Sequence, residues 1–239
     1  MTQDPVSYQA DGLQMRGTLV YEPASSPRPG VLVFPEAFGP GEHSLGRAER
    51  LAQMGFVALS CDLHGEGRYI DDVGEAVGLL DPLYADPTRI RARAGAALEL
   101  LRGRPEVDAS RVAAIGFCFG GTMALELARE GADIRAAVAF HGGLASRMPA
   151  AKGAVKARVL ACIGADDPWI DPDQRATFEK EMRDAAASWA LHLYGNTVHG
   201  FTNPHAARRN MPEAIRYNPE ADAASWGAMG QLFVETLTT

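Results

Sequence analysis

The sequence predicts an α/β protein with a mostly parallel central sheet and helices on both faces. Short runs such as 31–34 and 136–140 are apolar without interruption, which is typical of strands buried on both sides. Between such runs lie longer segments, for example 90–101, whose apolar residues recur at helical spacing. Strands that alternate with helices of this length favour parallel pairing, with each helix crossing a face of the sheet.

Each element is predicted from local signals. Gly55 ends a first helix, and Asp86-Pro87 supplies an N-cap and a first-turn proline for another. Residues 65–86 are polar and contain glycine, so we predict a loop above the sheet. We predict strands at 13–21, 30–34, 56–61, 112–115, 136–140, 158–163 and 189–194, and helices at 42–54, 87–101, 119–129, from 172 onwards and at 220–237.

The composition excludes several kinds of partner. The chain has 30 acidic and 23 basic residues, and the basic residues are scattered, so we expect neither nucleic acid nor a membrane surface as a partner. No apolar run approaches the roughly 20 residues of a membrane span, and the amino terminus lacks the pattern of a signal peptide. We expect a cytoplasmic protein with a single domain over residues 1–239, because no repeat or linker divides the sequence.

The spacing of the cysteines limits the roles that they can have. Cys61, Cys118 and Cys162 are an odd number of widely spaced residues without a CxxC pair. This pattern disfavours both a disulfide framework and a zinc site, so each cysteine is a buried apolar residue or a reactive thiol. We expect no metal and no organic cofactor.

Cys118 occupies the centre of a Gly-x-Cys-x-Gly motif at the turn between a predicted strand and a predicted helix. A nucleophile at such an elbow needs small flanking residues, because the turn is strained, and Gly116 and Gly120 meet this need. The helix dipole would favour a thiolate there. The alternative is that Cys118 is a small buried residue near a glycine-rich helix start.

An acid and a histidine follow later strands. Asp167 comes after the strand 158–163 and His199 after the strand 189–194. Nucleophile, acid and histidine in this order is the arrangement of α/β-hydrolases. Asp166 is a rival for the acid, but Asp167 is favoured because it lies midway between Gly164 and Ile170, as in the acid turn of that fold.

The remaining histidines are weaker candidates. We expect His43 and His205 to be solvated loop residues and His192 to lie within a strand. His64 and His141 follow strands and could line the cleft, although a structural role is favoured for both.

Several segments together resemble the dienelactone hydrolase family, also called carboxymethylenebutenolidases, over essentially the whole length. A cysteine at the elbow is more specific than the fold, since most α/β-hydrolases carry serine there. The matching segments are Phe34-Pro-Glu-Ala-Phe-Gly39, Asp62-Leu-His-Gly-Glu-Gly67, Gly116-Phe-Cys-Phe-Gly-Gly121, 164–170 and His199-Gly-Phe201.

The resemblance implies roles for the candidate residues. Cys118 is the nucleophile, His199 the base, Asp167 the group that orients His199, and Glu36 a carboxylate that interacts with the resting thiol. The backbone N–H groups of Ala37 and Phe119 are expected to form the oxyanion hole.

The resemblance is weaker at the substrate site. Family members that act on dienelactone hold its carboxylate with arginines, and Asn203 stands at one of those positions. Arg68, Arg208 or Arg209 could compensate, or be ordinary solvated residues. We expect the segment 68–86, with Trp169 and Phe201, to line the pocket and to accept a neutral ester as well.

The sequence therefore predicts hydrolysis of a small-molecule ester or lactone by two-step acyl transfer, in a monomer or a homodimer. An alternative enzyme is a carboxylesterase or thioesterase of other specificity. An alternative of another class is a non-catalytic thiol sensor or ligand-binding scaffold, since an exposed thiolate also suits a sensor.

Overall fold

The computed structural model describes residues 1–238, which form eight strands and six α-helices. The strands are β1 (Thr2–Ala10), β2 (Leu13–Tyr21), β3 (Arg28–Phe34), β4 (Val57–Ser60), β5 (Val107–Phe117), β6 (Ala136–Phe140), β7 (Arg158–Gly164) and β8 (Ser188–Tyr194). The helices are α1 (Glu42–Gln53), α2 (Val73–Ala85), α3 (Pro87–Arg102), α4 (Phe119–Arg129), α5 (Pro172–Asp184) and α6 (Pro219–Leu237).

The strands form one sheet in the order β1-β2-β4-β3-β5-β6-β7-β8. The pairs β1-β2 and β2-β4 are antiparallel, and from β4 to β8 every neighbouring pair is parallel. The predicted fold class is confirmed. Because the carboxyl ends of the parallel strands lie at one edge, the residues that follow β3, β5, β6, β7 and β8 meet there.

Helices cover both faces of the sheet. Along β3, Val31 and Val33 pack with α1 and α6 on one face, whereas Leu32 and Phe34 pack with α2 to α5 on the other. This alternation follows from the two-residue period of a strand. Within residues 1–238, no helix has both the length and the apolar character needed to cross a bilayer.

The structure differs from the sequence prediction in two elements. A strand at Thr2–Ala10, which was not predicted, pairs with β2 through a tight turn in which Asp11 and Gly12 both have positive φ. An Asp-Gly dipeptide favours such a hairpin turn. The prediction of a loop over residues 65–86 is wrong for its second half, where α2 begins after the N-cap Asp72.

Candidate active site

A cavity of about 430 Å³ opens at the carboxyl edge of the parallel strands. Its walls include Cys118 and His199 together with Glu36, Trp169 and Asn203. A neighbouring cavity of about 580 Å³ shares Glu36 and Asn203 but contains neither Cys118 nor His199. The smaller cavity is therefore the candidate active site.

Cys118 lies in a strained turn between β5 and α4. Its φ of 54° and ψ of −121° place it in a backbone region that residues other than glycine rarely adopt. A Cβ on Gly116 would collide with the backbone of Gly120, and a Cβ on Gly120 would collide with the carbonyl of Phe34. The close approach of these backbones explains the glycines, and the turn presents the sulfur at the start of α4.

The candidate acid and base are in direct contact. His199 Nδ1 lies 2.8 Å from Asp167 Oδ2, and Asp167 Oδ1 accepts a hydrogen bond of 3.0 Å from the backbone N–H of Trp169. The Asp167 side chain is completely buried, whereas Asp166 is exposed. The structure thus brings Asp167 to His199, and leaves Asp166 on the surface.

The surroundings of His199 favour its protonated form. Burial alone lowers the pKa of the imidazole, but the neighbouring Cys118 sulfur and the Asp167 carboxylate together raise it to about 10. These two groups outweigh the desolvation because opposite charges close to the ring stabilise the imidazolium. The arrangement can hold a proton next to the sulfur at neutral pH.

The residues predicted to form the oxyanion hole both line the cavity. Within residues 1–238, the backbone N–H groups of Ala37 and Phe119 donate no hydrogen bond. Phe119 is the first residue of α4, where N–H groups have no partner inside the helix. The carbonyl of Ala37 is 2.7 Å from His64 Nε2, and this contact fixes the loop after β3.

Glu36 has different partners from those expected. Its Oε2 accepts a hydrogen bond of 2.7 Å from Asn203 Nδ2 and lies 3.8 Å from His43 Nδ1. Among the described residues, no hydrogen bond joins Glu36 to Cys118. His43 was expected to be a solvated loop residue, but its side chain is only 9% exposed. It lies in the first turn of α1 with its ring packed edge-on against Phe117.

The predicted substrate contacts have mixed outcomes. Trp169 and Asn203 line the cavity, whereas Phe201 is fully buried and is not part of the cavity wall. Arg68 lies outside the cavity and pairs with Glu75 at 3.2 Å.

Arg209 lines the cavity that contains Cys118, whereas Arg208 lines only the neighbouring cavity of about 580 Å³. The Arg209 guanidinium lies 3.3 Å from the ring centre of Phe38 and donates to Tyr69 Oη at 2.6 Å. Within residues 1–238, no carboxylate lies within ion-pair distance of it. Its charge is therefore available to a ligand.

The segment 68–86 was expected to line the pocket, but sequence reasoning missed that it does so as a helix and that residues before α6 join the apolar wall. The helix α2 contributes Val73, Val77, Leu80 and Tyr84 to the cavity, and the segment before α6 contributes Met211 and Ile215. The signal for α2 was present, since Asp72 caps the N–H of Glu75 and Asp-x-x-Glu is typical of a helix start.

The fold and this site define an α/β-hydrolase. The model of the dienelactone hydrolase family matches residues 16–237. The chain belongs to that family and is a hydrolase of the lactone and ester class.

Relatives and solved structures are consistent with this assignment. A Bradyrhizobium protein named "Probable 2-oxo-3-(5-oxofuran-2-ylidene)propanoate lactonase" is 31% identical over 83% of this chain and 80% of its own length. A dienelactone hydrolase-like promiscuous phosphotriesterase from metagenomic libraries is 41% identical, with a TM-score of 0.91 and 98% of both chains covered. A dienelactone hydrolase from Anabaena variabilis, 22% identical, has a TM-score of 0.69 over 99% of this chain and 98% of its own, and shows the fold alone.

Proposed function

We propose that the protein hydrolyses a small ester or lactone through a Cys118-His199-Asp167 triad. The observation that carries this proposal is the contact of His199 with the buried Asp167 at 2.8 Å, in a cavity that also contains Cys118 on a strained strand-to-helix turn. A nucleophile, a base and a group that orients the base are the three parts that acyl transfer requires.

In the first step, the Cys118 thiolate attacks the carbonyl carbon, and the electron pair of the carbonyl moves to its oxygen. The N–H groups of Ala37 and Phe119 hold that oxyanion, because neither is used elsewhere in the described residues. The carbon–oxygen bond of the ester then breaks, and the leaving oxygen takes the proton of His199. A thioester on Cys118 remains.

In the second step, neutral His199 takes a proton from water, and the resulting hydroxide attacks the thioester carbonyl. The carbon–sulfur bond breaks, the carboxylic acid product leaves, and the thiolate and imidazolium are restored. Asp167 holds the proton on Nδ1, so that Nε2 is the nitrogen that exchanges protons with the reacting atoms.

The walls of the cavity favour a substrate with an apolar body and at most one carboxylate. The apolar wall comes from α2 and from Met211 and Ile215. Arg209 adds one cation, whose contacts in the described chain are to the Phe38 ring, Tyr69 Oη and the carbonyl of Asp71. Glu36 opposes a second anion near Asn203. We infer that Arg209, rather than the residue at position 203, contacts the carboxylate of an anionic lactone.

A second candidate reaction is the hydrolysis of neutral phosphotriesters. It is supported by the 41% identical chain whose name describes a promiscuous phosphotriesterase. A neutral triester also suits an apolar cavity that is lined by Cys118 together with Ala37 and Phe119. The same residues would act on phosphorus instead of carbon.

A substrate panel tests the proposal. Initial rates with cis-dienelactone, p-nitrophenyl acetate, an acyl thioester and a neutral phosphotriester would be compared for the wild type, Cys118→Ala, His199→Ala and the control Cys162→Ala. Cys162 is a buried thiol in β7, so its loss should leave the cavity unchanged. We expect turnover of at least one carboxylic ester to depend on Cys118 and His199 but not on Cys162. Equal turnover by Cys118→Ala would refute the triad. A lack of turnover on the whole panel would favour a thiol sensor.

A further inference from the structure

The proposed reaction does not use His141, although this residue lies directly beneath the nucleophile. His141 is the first residue after β6 and is fully buried. Its Nδ1 accepts a hydrogen bond of 3.1 Å from the backbone N–H of Cys118, and the same N–H also donates to the carbonyl of Phe140 at 3.0 Å. Its Nε2 lies 2.8 Å from Thr202 Oγ1. Both ring nitrogens are therefore occupied.

The hydrogen bonds determine which nitrogen of His141 carries the proton. A backbone N–H can only donate, so Nδ1 must be unprotonated, and the single proton of the neutral ring lies on Nε2 and is donated to Thr202. Burial, with the neighbouring His199 and His43 charges, keeps the pKa of His141 well below its ordinary value. The ring cannot accept the reaction's proton without losing its bond to Cys118.

The same ring contacts the base. The ring centres of His141 and His199 are 5.0 Å apart at an interplanar angle of 67°. Cys118 and His141 also share a positive φ, of 54° and 41° respectively, which is uncommon outside glycine. Two strained residues are thus joined by one hydrogen bond, and the side chain that accepts this bond supports the imidazole of His199.

We propose that His141 is a positioning residue for the nucleophile. The hydrogen bond that it accepts from the Cys118 N–H adds to the main-chain bond to the Phe140 carbonyl, and the side-chain acceptor sets the direction of the elbow so that the sulfur faces His199. This inference rests on the proposed function, because the alignment of Cys118 with His199 matters only if Cys118 is the nucleophile and His199 the base. Strain of this kind persists only where surrounding contacts maintain it.

A matched pair of variants separates this role from simple packing. His141→Asn places a carbonyl oxygen where Nδ1 lies, so it keeps an acceptor for Cys118. His141→Gln is also a neutral amide, but its polar atoms reach the position of Nε2 and Thr202 instead. Thr202→Val is a further control, since it removes the partner of Nε2 and leaves Nδ1 unchanged.

The readouts are kcat/KM per titrated active site and the rate of Cys118 alkylation by iodoacetamide at one fixed pH, followed by mass spectrometry. Cys61 and Cys162 are fully buried, so alkylation of the folded protein reports on Cys118. For His141→Gln we expect a fall in kcat/KM of about 100-fold with little change in KM, because a displacement of about 1 Å at the reacting atoms costs that much. Alkylation of Cys118 should be slower than in the wild type, because the sulfur no longer faces the imidazolium.

His141→Asn and Thr202→Val should retain kcat/KM to within about tenfold of the wild type, because both keep the acceptor for Cys118. Equal losses in His141→Asn and His141→Gln would overturn the proposal, as would a His141→Gln enzyme with the wild-type kcat/KM and the wild-type alkylation rate. A failure of the triad itself would show separately, as undiminished turnover in Cys118→Ala.

Discussion

Replacing Asp167 with asparagine changes one charge and one hydrogen bond at the base. The buried Asp167 carboxylate accepts from His199 Nδ1 at 2.8 Å and from the Trp169 N–H at 3.0 Å. Asparagine can keep the second bond through its oxygen, but its NH₂ group then faces Nδ1 and favours the wrong tautomer of His199.

The size of the effect follows from the lost bond. A hydrogen bond to a charged group contributes about 1.5–3 kcal/mol. At about 1.4 kcal/mol for each factor of ten, this corresponds to a loss of about 10- to 150-fold in kcat/KM. The loss of the carboxylate should also lower the pKa of His199 towards its ordinary value, because Asp167 is one of the groups that raise it.

The assay is hydrolysis of p-nitrophenyl acetate, with a thermal melt to show that each variant is folded. Asp166→Asn is the matched control, since Asp166 is the exposed neighbour in the same turn. It should have the wild-type rate. The reasoning would be refuted if Asp167→Asn stayed within about threefold of the wild type, well below the loss expected for a charge-assisted bond, or if both variants lost the same activity.

Three further predictions concern the proton, the substrate and the elbow. Because the pKa of His199 is raised to about 10, kcat/KM for an alkyl ester should fall as the pH rises through that value. A p-nitrophenyl ester, whose leaving group needs no proton, should show a weaker fall in blank-corrected rates, and an equal fall for both esters would contradict this. Arg209→Gln should raise KM for cis-dienelactone about tenfold, the equivalent of one charge-assisted bond, and leave KM for p-nitrophenyl acetate unchanged; equal changes would exclude a carboxylate contact. Gly120→Ala should lower the free energy of unfolding by at least about 1–3 kcal/mol, because its Cβ would collide with the Phe34 carbonyl. The control Gly230→Ala, with open space around it in α6, should be stabilised by up to about 1 kcal/mol in the same urea titration, and the reverse order would contradict the steric argument.

Much of the fold could be predicted because the local and global signals agree. The helix predicted at 119–129 and the strand predicted at 136–140 have the bounds found in the structure. A buried parallel strand is a short run that is apolar on both faces, and the helices are longer, so the apolar pattern together with segment length and flanking glycines indicates both. β1 lacks that signal because it is an edge strand with mostly polar, exposed residues.

The sequence predicts those parts of the candidate site whose location depends only on which strand a residue follows. Asp167 and His199 follow strands that end at one edge of the sheet, so parallel pairing brings them together. Contacts that depend on side-chain direction were not predictable. Phe201 is only two residues from His199, yet its ring points down into the core, and the partner of Glu36 could be found only in three dimensions.

The central claim is that the acyl group is transferred to Cys118. The most direct test is rapid acid quench of the wild-type protein with p-nitrophenyl acetate, followed by peptide mass spectrometry. We expect one acetyl group on the peptide that contains Cys118, formed and lost at the rate of turnover. An acetyl group on another residue, or turnover without any acetyl group on Cys118, would contradict it.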